Sequence, residues 1–295
     1  MAGERSEAMS AGLFSDRDSA RVGARVRTRL RAVDGGDFRD RADLLATEEP
    51  LEIRVVAGRA TETVAVTMRT PGADFELAVG LLHSARLLAG RDGLREIRYC
   101  MDRGETQRYN LVHVDLDAEE LPDLRRVSRT FYASSACGVC GSASLDALSA
   151  DGVRPVAGPW TVSADTLRAL PDRLREAQSV FASTGGLHAA GLFTRAGGLA
   201  CLREDVGRHN AVDKAVGWAL LGDRLPLDDH LLVVSGRTSY EILEKAVVAG
   251  VPLVAAVSAP SSLAVEVAQA FGVTLVGFLR GQRFNIYSHP ERIAV

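Results

Sequence analysis

Two cysteines separated by two residues, Cys137 and Cys140, are the side chains of this sequence best suited to chemistry. They lie in the glycine-flanked segment 134–142, SSACGVCGS, and the apolar spacing after it predicts the start of a helix. The unpaired N–H groups and partial positive charge of a helix N-terminus favour a thiolate, the form that attacks sulfur or binds metal. Three interpretations follow: a sulfur-handling nucleophile, half of a zinc site, or two small buried hydrophobic residues.

The composition is that of a globular protein with a sizeable core, with 46% hydrophobic and 25% charged residues among 295. A net charge of −3 argues against general nucleic-acid binding. No apolar run reaches the roughly 20 residues that span a bilayer, and residues 1–11 lack the apolar stretch of a secretion signal. We therefore expect a cytoplasmic, reducing setting, where a Cys-x-x-Cys pair is more often catalytic or metal-binding than a disulfide. Cys100 and Cys201, in apolar surroundings, are predicted to be buried packing residues.

The sequence pattern divides the chain into three parts. Residues 1–43, rich in arginine and small polar residues, predict a flexible basic arm. Residues 44–125 combine two predicted hairpins with a helix beginning near Asp74, which gives a small α+β domain. In residues 126–295, β-branched runs alternate with helical segments, which predicts a mostly parallel sheet with helices on its faces. The predicted fold class is therefore α/β, and the loops at the carboxyl ends of the strands are the expected ligand crevice.

Five loops in the last part carry more glycine and polar residues than packing requires. Glycine N–H groups and arginine side chains can hold phosphate oxygens, and an aromatic ring can stack on a heterocycle. Each loop also has a structural interpretation as a turn or a helix cap. The loop SGRTS lacks the lysine and spacing of a P-loop, which disfavours nucleotide hydrolysis. The five loops are 183–188 (STGGLH), 204–210 (EDVGRHN), 235–239 (SGRTS), 258–262 (SAPSS) and 278–285 (FLRGQRFN).

Charged groups in two of these loops admit more than one role. His188 is either a hydrogen-bond donor or proton carrier for a ligand, or a histidine whose hydrogen bonds are all made with neighbouring protein groups. The mixture of carboxylates, Arg208 and His209 at a predicted strand end favours a site. Asp213 and Lys214, on the helix that follows, are predicted to form exposed pairs, which contribute little to stability.

These motifs together resemble the FdhD family, the formate dehydrogenase accessory sulfurtransferases. The resemblance runs from about residue 47 to the C-terminus, and it is specific because the motifs occur in the family's order. The motifs are MRTPG (68–72), CGVCG (137–141), TGGLHAA (184–190), EDVGRHNAVDK (204–214), SGRTSYE (235–241) and FLRGQR (278–283).

The resemblance implies a cytidine-deaminase-like three-layer domain over residues 126–295. It also implies a function, in which persulfide sulfur from a cysteine desulfurase is passed to the molybdenum cofactor before the cofactor enters formate dehydrogenase. The cofactor is the bis(molybdopterin guanine dinucleotide) form, bound as a substrate. By the same resemblance, Cys137 carries the persulfide and Cys140 assists.

The expected cofactor contacts lie in three loops. Arg237 and His209 are candidates in two of them, and the resemblance implies that the segment 278–283 contacts the cofactor. The residues of that segment are Phe278, Leu279, Arg280, Gly281, Gln282 and Arg283. Deaminases of the implied fold hold zinc with an H-x-E and a P-C-x-x-C sequence. Because no proline precedes Cys137, we expect neither deamination nor a resident metal ion.

Two other functions stay open at this stage. One is a non-catalytic chaperone that binds and delivers the molybdenum cofactor, and the other is a zinc-binding module of deaminase ancestry. We expect a homodimer, since a symmetric pair suits the presentation of a large cofactor. The expected partners are a cysteine desulfurase, formate dehydrogenase and a guanine-nucleotide-containing cofactor, with no nucleic acid and no membrane.

Overall fold

A hairpin begins the computed structural model, which describes residues 23–101, 107–124, 145, 148–150, 152–158 and 160–295. Its strands β1 (Arg25–Asp34) and β2 (Asp37–Ala46) pair antiparallel along their full length. Gly35 and Gly36 both have positive φ and form the tight turn that such a hairpin needs. Residues 25–43 therefore differ from the predicted flexible arm, because the glycine turn and cross-strand pairing order a segment of low hydrophobicity.

A small α+β unit follows the hairpin and agrees with the predicted elements. It contains β3 (Glu49–Ala57), β4 (Ala60–Arg69), helix α1 (Asp74–Ser84), β5 (Leu94–Tyr99) and β6 (Leu111–Leu116), with a 3₁₀ turn at Arg91–Gly93. The strand order is β4-β3-β6-β5, in which β3 and β6 are parallel and the other pairs antiparallel. Alternate apolar residues of β3 pack against α1 in one core. The predicted domain boundary near residue 125 lies outside the described residues.

A six-stranded sheet organises the remainder of the chain. Its order is β13-β12-β11-β10-β8-β9. The strands are β8 (His188–Thr194), β9 (Leu199–Asp205), β10 (His230–Val234), β11 (Leu253–Ala256), β12 (Thr274–Arg280) and β13 (Arg283–Ser288). Two short strands, β7 (Val162–Ser163) and β14 (Ile293–Ala294), pair apart from this sheet, and a 3₁₀ turn spans Pro290–Arg292.

The large sheet is mixed rather than mostly parallel. The pairs β10–β11 and β11–β12 are parallel, whereas β8–β9, β8–β10 and β12–β13 are antiparallel, so β8 and β13 run against the other four strands. The reason is the length of two connections, since β8–β9 and β12–β13 are joined by turns too short for a parallel crossover. Gly197 and Gly281, both with positive φ, lie in these two turns.

Helices cover both faces of this sheet. One face packs against α2 (Ala164–Ala177), which is followed by the short α3 (Ser179–Thr184). The other face packs against α4 (Arg208–Leu221), α5 (Tyr240–Val248) and α6 (Ser262–Ala270). Alternate residues of β10 divide between the two cores, with Leu231 and Val233 on the α2 side and Leu232 and Val234 on the other.

A close crossing of α1 and α4 joins the small unit to the large sheet. A Cβ atom at Gly80 would overlap the Asp213 carbonyl group, and one at Gly217 would overlap that of Glu76. The two glycines therefore allow the helix backbones to touch.

Candidate functional site

The polar loops singled out in the sequence meet at one edge of the six-stranded sheet. Residues 235–239 and 257–261 follow the parallel strands β10 and β11, and residues 281–282 follow β12. Because β8 is antiparallel to β10, its first residues lie at the same edge, where the Ser235 N–H donates to the Ala189 carbonyl at 3.0 Å. Asp205, the last residue of β9, pairs with His188. These loops therefore lie at the carboxyl edge of the parallel strands, where the sequence predicts the ligand crevice.

A cleft of about 630 Å³ opens at this edge on the side of α2. Its volume lies within the range of small-molecule and cofactor sites, roughly 300–1,000 Å³. The cleft is lined by Pro171, Asp172, Leu174, Arg175, Gln178, Phe181, Gly185, Gly186, Leu187, His188, Ser235, Val257, Leu279, Arg280 and Gly281.

Two guanidinium groups reach the cleft from different elements. Arg175, on α2, lies over the Phe181 ring with its central guanidinium carbon 5.1 Å from the ring centroid. Arg280, at the end of β12, donates from Nε to the Val257 carbonyl at 2.8 Å, which fixes the side chain at the edge. Planar guanidinium groups match the geometry of phosphate oxygens, so this cleft can hold a phosphate-bearing ligand.

His188 enters the cleft as a neutral side chain. Burial lowers its pKa, and the positive charge of Arg208 lowers it further. Gly236 lies against the ring, and a Cβ at that position would be 3.3 Å from His188 Nδ1. A neutral imidazole has one N–H donor and one acceptor nitrogen, so His188 can serve a ligand in either sense.

A second cluster lies beside the cleft, where α4 and α5 begin. His209 Nε2 is 2.8 Å from Glu241 Oε2 and 3.3 Å from Ser239 Oγ. The hydrogen bond with His209 lowers the pKa of Glu241. Because a carboxylate only accepts hydrogen bonds, the Nε2–H of His209 donates to Glu241, and this hydrogen bond sets the orientation of the ring.

A buried carboxylate, that of Asp205 at the end of β9, holds together the backbone at this edge of the sheet. Asp205 is 0% exposed and ion-pairs with Lys214 at 2.6 Å, and it also accepts the N–H groups of Thr70 and Gly207. Lys214 Nζ donates to the Thr70 carbonyl at 2.8 Å. The turn after β4 is thereby tied to the loop after β9, so the small unit helps to shape the edge.

The prediction of exposed pairs at Asp213 and Lys214 is wrong. Both side chains are buried, and Asp213 pairs with Lys245 at 2.8 Å and accepts the Ser84 hydroxyl at 2.9 Å. The cause is the position of α4, which is packed between α1 and the sheet and has almost no solvent face. The apolar run that follows Lys214, AVGWALL, is the signal that could have indicated this burial.

A family model described as the FdhD/NarQ family matches residues 46–294. The chain belongs to the FdhD/NarQ family. Among its relatives, the sulfur carrier protein FdhD of Mycobacterium tuberculosis is 50% identical over 276 residues, covering 92% of this chain and 99% of that one. The proteins of the same name from Streptomyces coelicolor and Sulfurisphaera tokodaii are 49% and 44% identical and cover 91% and 85% of this chain, and 95% and 92% of their own.

A solved structure shares the fold. A crystal structure described as that of a formate dehydrogenase accessory protein from Desulfotalea psychrophila matches with a TM-score of 0.70. It covers 92% of this chain and 100% of the other at 22% identity, which supports a common fold alone.

Within this family member, the predicted cofactor segment 278–283 divides into buried and accessible parts. Leu279, Arg280 and Gly281 all line the cleft, but Arg280 and Gly281 are exposed, whereas the Leu279 side chain is 0% exposed and belongs to the core. Phe278 is partly exposed with a φ of 53°, at a bulge opposite β13. Gln282 and Arg283 are exposed at the turn.

The other predicted site residues lie at the same edge or outside the described residues. His209 and the exposed Arg237 lie at the edge but not among the residues that line the cleft. Cys137 and Cys140 lie outside the described residues, and their roles stay predictions. Cys201 is buried as predicted, which raises the pKa of its thiol to about 12. Burial also raises the pKa of the half-buried Cys100.

Sequence patterns missed the contribution of α2 to the cleft. Asp172 and Arg175, on the polar face of this amphipathic helix, line the cleft together with Gln178, the residue that caps its C-terminus. Glu204 holds the next element in place, since its carboxylate accepts the N–H groups of Val180 and Phe181 at 3.0 and 2.7 Å.

Among the described residues, no group of three histidine, cysteine or carboxylate side chains could hold a metal ion. In the same part of the chain, every helix is too short or too polar to cross a membrane.

Proposed function

We propose that this chain is a sulfurtransferase in the maturation of formate dehydrogenase. It takes persulfide sulfur from a cysteine desulfurase and passes it to the molybdenum cofactor in its bis(molybdopterin guanine dinucleotide) form. The names of the relatives, sulfur carrier proteins and a formate dehydrogenase accessory protein, support the general role. The cleft at the carboxyl edge of the sheet, with Arg175 and Arg280 beside glycine amides, is the observation that carries the proposal to this chain.

In this proposal the cleft holds the guanine nucleotide end of the cofactor. Arg175 and Arg280 neutralise phosphate charge, and the Gly185–Gly186 pair leaves space for phosphate oxygens to approach the backbone. His188 is neutral at pH 7 because its pKa is lowered, so it accepts or donates a hydrogen bond without adding charge. Arg237 and His209 would contact the part of this large substrate that extends over the edge.

The sulfur chemistry belongs to Cys137 and Cys140. The Cys137 thiolate attacks the outer sulfur of the desulfurase persulfide, and the desulfurase cysteine leaves as a thiolate. The Cys140 thiolate can then attack the inner sulfur of the Cys137 persulfide, which releases the outer sulfur as hydrosulfide and leaves a Cys137–Cys140 disulfide. The two cysteines thus supply both electrons that reduce the transferred sulfur.

Three further features accompany this proposal. Residues 126–295 would share the cytidine-deaminase-like layout that the family resemblance implies. The chain would act as a homodimer in the cytoplasm, and it would hold no resident metal ion, since the molybdenum arrives and leaves with the substrate.

Nucleotide binding tests the cleft. Titration calorimetry with GDP should show saturable binding, and Arg280→Ala should weaken it by about tenfold to a hundredfold, the equivalent of one lost charge-assisted hydrogen bond. The matched control is Arg95→Ala. It removes an exposed arginine that pairs with Asp117 and does not line the cleft, so it should leave the affinity for GDP unchanged. Equal GDP affinity in the wild type and Arg280→Ala would contradict the assignment of the cleft.

Sulfur loading tests the enzyme. After incubation with a cysteine desulfurase and cysteine, intact mass spectrometry should show one added sulfur on Cys137. Cys137→Ala should abolish both this adduct and sulfur transfer while GDP binding persists. If GDP binds and delivery of the cofactor continues in Cys137→Ala, the chain is a chaperone instead.

A further inference from the structure

We propose that the outer edge of β1 is a docking site for an extended, acidic segment of a partner protein. This edge belongs to the N-terminal hairpin, most of which precedes the region 46–294 matched by the family model. It does not depend on the sulfur chemistry.

Among the described residues, the outer edge of β1 has no neighbouring strand. β1 and β2 form a sheet of their own that joins no other strand in the described part of the chain. β2 lies against α3, whereas within that part β1 has a strand on one side only. The outward N–H and C=O groups of a ten-residue edge can pair with an added strand. A two-stranded ribbon is marginally stable in water, so a third strand would stabilise it.

The charge on β1 selects the partner. Four arginines at alternate positions, 25, 27, 29 and 31, share one face of the strand. Arg31 pairs with Asp40 at 2.8 Å, but Arg27 and Arg29 lie opposite Leu44 and Ala42 and have no ion pair or hydrogen bond with another described residue. A strand with carboxylates at matching positions would pair with them, whereas β1 of a second copy would place arginines against arginines.

The other face of β1 makes a polypeptide partner more suitable than a nucleic acid. It carries Val26, Thr28, Leu30 and Ala32, so a matching strand alternates carboxylates with apolar side chains. Val26 is 49% exposed, and Phe38 near the tip is 71% exposed.

The base of the hairpin lies next to the cleft. The Arg25 guanidinium donates to the Ser179 carbonyl at 3.1 Å, at the start of α3. Ala46 lies close to Gly186, where a Cβ would be 3.7 Å from the Ala46 side chain. A partner held on β1 would therefore be delivered beside the mouth of the cleft.

A peptide titration tests this docking edge. The probe is a fluorescent ten-residue peptide of alternating glutamate and valine, added to the full-length chain at about 0.15 M salt, where distant charges are screened. We expect saturable binding that Arg27→Glu/Arg29→Glu weakens by about tenfold or more, since two attractive cross-strand pairs become repulsive. The control is Arg39→Glu/Arg41→Glu on β2, which makes the same change in net charge and should alter the affinity by less than twofold.

A second peptide separates strand addition from simple charge attraction. N-methylation of alternate backbone amides removes the N–H groups that would pair with β1, so this peptide should not bind. Equal losses in the two double variants, undiminished binding of the N-methylated peptide, or no saturable binding of the first peptide would each overturn the proposal. Tighter binding of duplex DNA than of the peptide would overturn it as well.

Discussion

Replacing Lys214 with methionine removes the charge that balances Asp205 and keeps most of the length of the side chain. The two groups are 2.6 Å apart, with side chains that are 2% and 0% exposed. In Lys214→Met, the Asp205 carboxylate keeps its hydrogen bonds from Thr70, Gly207 and Asn210 but loses its counter-charge. Removing one partner of a buried ion pair costs about 3–5 kcal/mol. That is a large part of the roughly 5–15 kcal/mol by which a domain is stable.

Urea unfolding at pH 7 measures this loss as a change in the free energy of unfolding. The control Arg95→Met breaks an exposed ion pair, with side chains 50% and 62% exposed, and should leave the stability unchanged. The double variant Asp205→Asn/Lys214→Met removes both charges, so it should recover part of the stability lost in Lys214→Met.

Two results would refute this reasoning. One is a Lys214→Met variant as stable as the Arg95→Met control, which would mean that the pair is not buried. The other is a double variant less stable than Lys214→Met alone, which would mean that lost hydrogen bonds rather than the unpaired charge cause the loss.

Three further predictions concern packing, pH and thiol reactivity. Gly217→Ala should lower the thermal midpoint of unfolding, because the alanine Cβ would overlap the Glu76 carbonyl group. This loss should exceed the roughly 1 kcal/mol by which alanine normally stabilises a helix relative to glycine. A raised midpoint in calorimetry would contradict the close crossing of α1 and α4. The pKa of Glu241 is lowered by His209, so its carboxylate stabilises the fold above its ordinary pKa of 4.5, and this contribution disappears as the pH falls through the lowered value. In urea unfolding at stepped pH, Glu241→Gln should therefore be less stable than the wild type near pH 6, with the gap closing in acid; a gap that is constant with pH would contradict the assignment. Cys201, with a thiol pKa of about 12, should resist iodoacetamide at pH 8 in the native chain and react in denaturant, as mass spectrometry of peptides would report.

The elements of the fold were largely predictable from local pattern. Apolar residues recur at the spacing of a strand in β3, at that of a helix after Asp74, and at both in turn after residue 160. The structure contains the strands and helices that this spacing predicts. The N-terminal hairpin, the short helix α3 and the antiparallel direction of β8 and β13 were not predicted. The hairpin owes its order to a glycine turn in a polar segment, and strand direction depends on connection length rather than on periodicity.

The sequence alone placed the loops after β10, β11 and β12 at one edge, since a polar loop after a parallel strand must lie at its carboxyl edge. The loop 183–188 joins them only because β8 is antiparallel to β10. The sequence also contained the motifs that place the chain in its family. Only the tertiary structure decided which side chains of those loops are accessible, as in the exposed Arg280 and the buried Leu279, which both border the cleft. It likewise brought Arg175 from α2 into the cleft and buried Asp213 and Lys214. The physical reason is that burial of a side chain depends on all the segments that pack around its helix or strand. A local sequence pattern indicates only the one side of the element that faces the core.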